Sequence, residues 1–283
     1  MNRDYTTYDN VAPHYDSTRV PVGLDVILGC SSFSQVRPSD ASLISPGSGT
    51  GNYEIALAKF FKSVLGVDIS QEMLKKAKEK SKAIDNIEFI RGDAIEMKMF
   101  ADNMFDVAMF NHSLHHVGDY EHQSKALQES YRILKDKGVI IIQTCSQKQL
   151  RDGFWYFDLI PEATERQTKK LMPVDELSDT LKNIGFEYKG SIVPVDAIIM
   201  GEHYLDVEGP LKEEWRSGDS IWSLVTEAEL DKSQQIIREM QANGTIDDYI
   251  YKREALRKDI GQVTFVYAMK NIMSPNIEAQ ESK

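Results

Sequence analysis

Cysteine is scarce in this chain, long apolar runs are missing, and positive charge never gathers. Two cysteines among 283 residues, Cys30 and Cys145, cannot build a disulfide framework, and neither sits in a C-x-x-C pair. A reduced, cytoplasmic setting is the expectation. No stretch approaches the roughly 20 apolar residues that a membrane span requires. The opening residues, MNRDYTTYDN, carry acids and tyrosines where a secretory signal needs a basic and then an apolar run. Lysine and arginine number 33 against 44 acids, a net charge of −11, and no basic run interrupts it. Such a surface repels a phosphate backbone, so nucleic acid is not an expected partner.

What is present is an ordinary globular balance, 41% hydrophobic and 27% charged, in a chain long enough to bury a sizeable core. Strand-length apolar runs alternate with helical patterns from residue 42 to about 190. The predicted strands are Ala41–Ser45, Ser63–Asp68, Ile87–Arg91, Phe105–Phe110 and Val139–Thr144, with a sixth inside Gly190–Met200 and a last over Gln262–Met269. Asn52–Lys62 reads as a helix apolar nearly all round, hence buried. Ser70 caps another, with Glu72 in its first turn. Tyr120–Lys135 is a third, stopped by Gly138, and Val174–Ile184 a fourth. Continuous apolar strands separated by helices predict an α/β fold: a doubly wound, mostly parallel, seven-stranded Rossmann-like sheet. The expected division is an N-terminal lid of helices over 1–40, a core over 41–200, an acidic helical insertion over 201–261 that caps the acceptor site, the last core strand over 262–270 and a disordered tail over 271–283.

The turn after the first strand reads Ser45-Pro46-Gly47-Ser48-Gly49-Thr50-Gly51-Asn52. Alternate glycines allow a tight turn and let a ligand lie against bare main chain. Asp68 ends the second strand, where a carboxylate can accept both hydroxyls of a ribose, and Asp93 follows the third, at the edge of an adenine. A dinucleotide loop prefers G-x-G-x-x-G; here the third glycine comes one residue earlier, which suits a ligand without phosphates. No Lys-Ser/Thr follows, which excludes a Walker loop.

These elements, with Gly66-Val67-Asp68-Ile69-Ser70, Gly92-Asp93-Ala94, Phe105-Asp106-Val107 and Arg132-Ile133-Leu134-Lys135-Asp136-Lys137-Gly138, resemble class I S-adenosylmethionine-dependent methyltransferases of the ubiquinone/menaquinone C-methyltransferase group. The resemblance covers residues 42–145. It implies S-adenosyl-L-methionine as cofactor and S-adenosyl-L-homocysteine as product. It also implies that the Gly47–Gly51 loop meets the methionine part, Asp68 the ribose and Asp93 the adenine amine, with Ile69, Met73 and Ala94 beside the nucleoside. One departure is Ser45, where the family usually has an acid that contacts the cofactor's amino group; Asn111 or an N-terminal tyrosine is the candidate replacement. The stretch Tyr8–Asp16 resembles the family's lid, with Tyr15, Tyr8 and Arg19 closing over the cofactor, or else simply packing helices.

The fourth strand ends in Asn111-His112-Ser113-Leu114-His115-His116, where the resemblance places the acceptor. His115 or His116 is the candidate base, because imidazole titrates near neutral pH. The alternatives are that the histidines only shape the pocket, or bind a metal, although the spacing fits no zinc pattern. Phe154-Trp155-Tyr156-Phe157 follows the fifth strand and, with Tyr204, Trp215 and Trp222, either walls an apolar acceptor pocket or packs a core. Cys145 is expected as a small buried apolar residue; paired with Cys30 it would instead suit a thiophilic acceptor. The expected function is methyl transfer to a small-molecule acceptor on O, N, C or S. The rivals are a non-catalytic cofactor-binding protein and a dinucleotide-dependent oxidoreductase.

Overall fold

A computed structural model of the chain describes residue 16 and residues 18–271. Seven strands form one sheet: β1 Ser42–Pro46, β2 Ser63–Asp68, β3 Ile87–Arg91, β4 Phe105–Asn111, β5 Leu134–Thr144, β6 Phe186–Ile192 and β7 Thr264–Lys270. Their order is β3-β2-β1-β4-β5-β7-β6. The first five strands pair in parallel, and β7 runs antiparallel between β5 and β6. The predicted doubly wound, mostly parallel sheet is the observed one.

The helices of six or more residues among the described ones are α1 Leu24–Ser31, α2 Asn52–Ala58, α3 Gln71–Lys80, α4 Tyr120–Ile133, α5 Gln147–Asp152, α6 Pro161–Thr168, α7 Val174–Ile184, α8 Glu227–Ala242 and α9 Ile246–Ile260. Successive strand side chains point to opposite faces, which divides the core in two. Leu43, Val107, Met109, Val139 and Ile141 meet Ile27 of α1, Leu57 of α2 and Leu150 of α5 on one face. On the other, Ile44, Ala108, Phe110, Ile140 and Ile142 meet Leu127 of α4 and Leu177 and Leu181 of α7. Burial on both faces is why these strands are apolar throughout rather than alternating.

Local signals set several element ends as expected. The Ser70 hydroxyl accepts the Met73 N–H at 3.2 Å and starts α3. Other boundaries differ. The buried helix expected over 52–62 ends at Ala58, because the chain must turn to enter β2 at Ser63. Gly138 does not stop α4; the chain passes straight from Ile133 into an 11-residue β5. There the ladder with β4 shifts register between Phe105 and Val107, Lys137 adopts φ 63°, and Lys135 reaches Asp106 at 2.9 Å. The sixth strand begins at Phe186, earlier than expected, and bulges at Gly190, whose φ is 150°.

Residues 201–261 lie between β6 and β7. Tyr204, Trp215 and Trp222 from this stretch are buried in the same core as Trp155 and Tyr156, so its first part is continuous with the core. Among the described residues no helix is long and apolar enough to cross a membrane. Residues 1–15 and the tail beyond Asn271 lie outside the described residues, and with them the expected lid tyrosines Tyr8 and Tyr15 and most of the tail.

Candidate functional site

A cavity opens at the carboxyl ends of β1 to β5, the edge where open α/β sheets hold ligands. At one end of it the chain leaves β1 through Gly47, Gly49 and Gly51, with φ of 74°, 54° and 78°. Gly47 and Ser48 donate backbone N–H groups to Val67 O at 2.7 and 3.1 Å. The Asp68 carboxylate accepts the Gly49 N–H at 2.7 Å and the Ser70 N–H at 2.9 Å, so one acid ties the loop to the start of α3.

The three glycines do different work. A Cβ on Gly47 would lie 2.5 Å from Ser113 Cβ, and one on Gly51 would lie 2.5 Å from the Phe89 ring. Both are packing positions. A Cβ on Gly49 meets nothing within 4 Å and would point into open space. Gly47, Ser48, Gly49, Asp68, Ile69, Met73, Asp93, Ala94 and Asn111, the residues expected beside the cofactor, all line the cavity. Gly51 does not line it; it caps α2 against Phe89 instead. Asp93 accepts the Ile95 N–H at 3.1 Å, which holds the turn after β3.

Two residues here escaped the sequence reading. Asp16 accepts hydrogen bonds from Thr50 Oγ1 at 2.5 Å, Asn52 Nδ2 at 2.9 Å and Lys80 Nζ at 2.7 Å, so the chain preceding α1 is pinned across the glycine loop. Glu54, on α2, lines the cavity with 1% of its surface exposed. Its signal was available: it is the lone acid in a helix otherwise read as buried. Burial pushes its carboxyl up to about 7.

At the other end, β4 runs out through Asn111 into His112, held at φ 49°, and a turn over Leu114–His116. The Ser113 hydroxyl donates to Pro46 O at 2.9 Å, locking this turn to the glycine loop. His115 and His116 stack with centroids 3.8 Å apart, and both line the cavity. Burial, with Lys170 and Arg19 nearby, lowers His115 to about 3. Burial also depresses His112 and His116 well below the usual imidazole value. Burial therefore opposes the near-neutral titration expected of these histidines and favours their uncharged form. No group of three or more His, Cys, Asp or Glu side chains among the described residues is placed to hold a metal.

The aromatic run divides. Phe154 and Phe157 stack at 4.3 Å and border the cavity. Trp155 and Tyr156 turn away into the core, where Tyr156 packs on Trp215 and Trp222, and Trp155 donates its indole N–H to Tyr204 O at 2.7 Å. Trp155, Tyr156, Tyr204 and Trp222, expected as pocket walls, are thus the support behind it; the two phenylalanines are the wall. From the 201–261 stretch only Asp219 and Ser220 reach the cavity, and helices α8 and α9 stand clear of it. Asp219 accepts from Arg19 Nη2 at 2.7 Å and from the Tyr156 hydroxyl at 2.6 Å. This links the chain before α1 to the support layer. Cys145 lines the cavity, donates its thiol to Gln262 O at 3.2 Å and is pushed up to about 12 by burial. Cys30 is absent from the lining, so the two cysteines offer no paired thiolate site there.

Several buried polar atoms along this cavity have no hydrogen-bond partner among the described residues: Ser48 Oγ, Glu54 Oε2, both amide atoms of Asn111 and His112 Nε2. Buried polar groups are nearly always satisfied, so unpaired ones lining a cavity mark where a polar ligand completes them.

Comparison with known proteins agrees with this geometry. Residues 44–142 match the family described as Methyltransferase domain. A demethylmenaquinone methyltransferase of Staphylococcus aureus is 39% identical over 105 residues, which is 36% of this chain and 42% of that protein. The chain therefore aligns with less than half the length of the curated relatives it matches. A structure from Anabaena variabilis, described as a methyltransferase from an antibiotic biosynthesis pathway, superposes with a TM-score of 0.72 at 24% identity, covering 89% of this chain and 98% of that one. The Haemonchus contortus phosphoethanolamine N-methyltransferase 2 in complex with S-adenosyl-L-methionine superposes with a TM-score of 0.54 at 18% identity, over 94% of this chain and 56% of that one. Residues 44–142 are thus similar to the methyltransferase domain family, and the sheet around them has the same fold as these two structures.

Proposed function

We propose that this chain is an S-adenosyl-L-methionine-dependent methyltransferase whose acceptor is a small, uncharged and largely apolar molecule, with S-adenosyl-L-homocysteine as product. The observation that carries the reading is the continuity of one cavity from the Gly49–Asp68–Asp93 end to the His115–Phe154 end. The residues fit the cofactor. Gly49 leaves bare main chain with open space above it, Asp68 and Asp93 supply acceptors for hydroxyls and an amine, and the unpaired atoms of Ser48 and Asn111 lie alongside. Bound there, S-adenosylmethionine would supply an already activated methyl group, so the protein's task is alignment rather than activation.

The chain's own residues divide that task. The glycine loop, held by Asp68 and by the Ser113–Pro46 bond, sets the position of the methyl donor. Phe154, Phe157 and the stacked His115–His116 pair confine the acceptor and exclude water. A neutral imidazole there can accept a hydrogen bond from an acceptor hydroxyl and so orient it. The Staphylococcus relative is named for demethylmenaquinone, an apolar quinone, and the phenylalanines and uncharged imidazoles suit an acceptor of that chemical class. Arg19, the cation that lines this end of the cavity, is already paired with Asp219, which disfavours an anionic acceptor.

The test is transfer of labelled methyl from S-adenosylmethionine to a panel of reduced quinones, neutral phenols, amines and carboxylates, with calorimetry for S-adenosylhomocysteine and NAD. Transfer to the apolar neutral members is expected. Binding of NAD without S-adenosylhomocysteine would make the chain a dinucleotide enzyme, and transfer only to carboxylates would overturn the acceptor class.

A further inference from the structure

We infer that Glu54 is the residue that receives the ammonium group of the cofactor's methionine moiety. This rests on the methyltransferase reading above and assigns a binding role to a side chain outside the loop and strand-end motifs. Three observations carry it. Glu54 is 1% exposed yet borders the cavity, on α2, the helix that follows the glycine loop directly. Its Oε2 has no hydrogen-bond partner among the described residues. The strand end beside it carries Ser45, a buried hydroxyl that favours the ionised carboxyl but, being neutral, leaves its charge unbalanced.

A buried carboxylate without a counter-charge is costly, and a ligand cation relieves the cost. An ammonium supplies three N–H donors and a charge, the complement of a carboxylate with a free oxygen. The charged groups bearing on Glu54 are Asp68 at the end of β2, which disfavours its ionisation, and Lys80 on α3, which favours it. Lys80 is occupied, since it donates to Asp16 at 2.7 Å and also to Asn52. The protein's own cation is therefore committed elsewhere, and the ligand brings the one that Glu54 lacks. The histidines of the cavity are neutral in the same pH range and do not compete.

The proton follows from charge balance. Burial holds the carboxyl near 7, so below that pH Glu54 is protonated and must lose its proton to pair with an ammonium. One proton is released to solvent for each ligand bound, and affinity falls as the solution becomes more acidic. With the carboxyl at about 7, binding at pH 6 should be roughly eightfold weaker than at pH 7.5.

The experiment uses the full chain and calorimetry with three probes: S-adenosylhomocysteine, S-adenosylmethionine and 5′-methylthioadenosine, which keeps the nucleoside and thioether but has no amino-acid group. Glu54→Gln should weaken the first two alike, by about 10- to 100-fold, and leave the third unchanged. Loss confined to S-adenosylmethionine would assign Glu54 to the sulfonium instead, and equal loss of all three would make it a structural residue; either result overturns the inference. The wild-type comparison at pH 6 and 7.5 needs no variant: a fall for S-adenosylhomocysteine but not for methylthioadenosine supports it, and a flat response overturns it. If the wild type binds methylthioadenosine and S-adenosylhomocysteine equally well, no ammonium contact exists and the inference fails alone. If it binds none of the three, the methyltransferase reading fails and the inference falls with it.

Discussion

The two ends of the cavity are built by opposite methods. The nucleoside end is made of short segments that each follow one parallel strand, and its groups are backbone amides and acids: Gly49, Asp68, Asp93 and Glu54. The acceptor end is collected from distant parts of the chain, and its groups are aromatic rings, neutral imidazoles and one internally paired arginine: Phe154, Phe157, His115, His116 and Arg19. Charge is kept where a charged, invariant ligand is expected and removed where the acceptor lies. That difference separates a site for recognition, which needs fixed donors and acceptors, from one for confinement, which needs shape and dryness.

The comparison would break first at the histidines. If one imidazole takes the acceptor proton, His115→Ala or His116→Ala should lose about 10²–10⁴-fold in rate at saturating substrate while S-adenosylhomocysteine affinity holds. Because burial lowers His115 to about 3, the wild-type rate should stay level from pH 8 down to pH 5 as far as this group is concerned, and a fall centred near 6.5 would show the site to be wet. Near-normal turnover in both variants would reduce the acceptor end to alignment alone.

Glu54 offers the next largest effect, and of opposite sign to an ordinary core substitution. Its folded-state carboxyl is raised from 4.5 to about 7, so its contribution to stability is fully present below 4.5 and lost as pH rises towards 7. Glu54→Gln removes that cost and should stabilise the ligand-free protein at pH 8 by about 3 kcal/mol, with little gain at pH 4.5. Denaturant midpoints at the two pH values measure it, and a destabilised variant at pH 8 would show that the carboxylate is satisfied by the protein. Asp68→Ala should weaken S-adenosylhomocysteine by about 1–3 kcal/mol, since it removes an acceptor for the ribose and frees the Gly49 loop. Unchanged affinity would remove Asp68 from the nucleoside site. The smallest effect on stability is expected at Gly49→Ala: with no atom within 4 Å of the new Cβ, only the left-handed backbone is penalised, about 1 kcal/mol. The same variant should lose most cofactor affinity, and a variant with full affinity would mean that the ligand lies elsewhere.

Which parts of this arrangement could be read in advance follows the same divide. The glycine loop, Asp68 and Asp93 were legible because each sits at the end of an apolar run, and a parallel sheet brings such ends to one edge whatever else the chain does. The roles inside the loop were not: Gly51 looks like its neighbours, and only the Phe89 ring from β3 shows that it serves packing. Gly138 looked like a helix stop, but pairing of Leu134 with Phe105 draws the chain into β5 before it is reached. In the run from Phe154 to Phe157, four adjacent aromatics carry no mark of which faces inward; Tyr204, Trp215 and Trp222 decide that by claiming Trp155 and Tyr156. The histidines could be located but not titrated, because burial sets their protonation and burial is a property of the assembled site.

Sequence alone therefore determined the sheet, its winding and the edge at which the glycine loop, Asp68 and Asp93 meet, since strand and helix periodicity and short turn motifs are local and each reports its own backbone. Tertiary structure alone decided the state and company of the buried ionisable groups: the neutral imidazoles, the occupied Lys80, the Arg19–Asp219–Tyr156 link and the unpaired carboxylate of Glu54. Their energies depend on desolvation and on partners supplied from far along the chain, and neither quantity exists until the chain has folded.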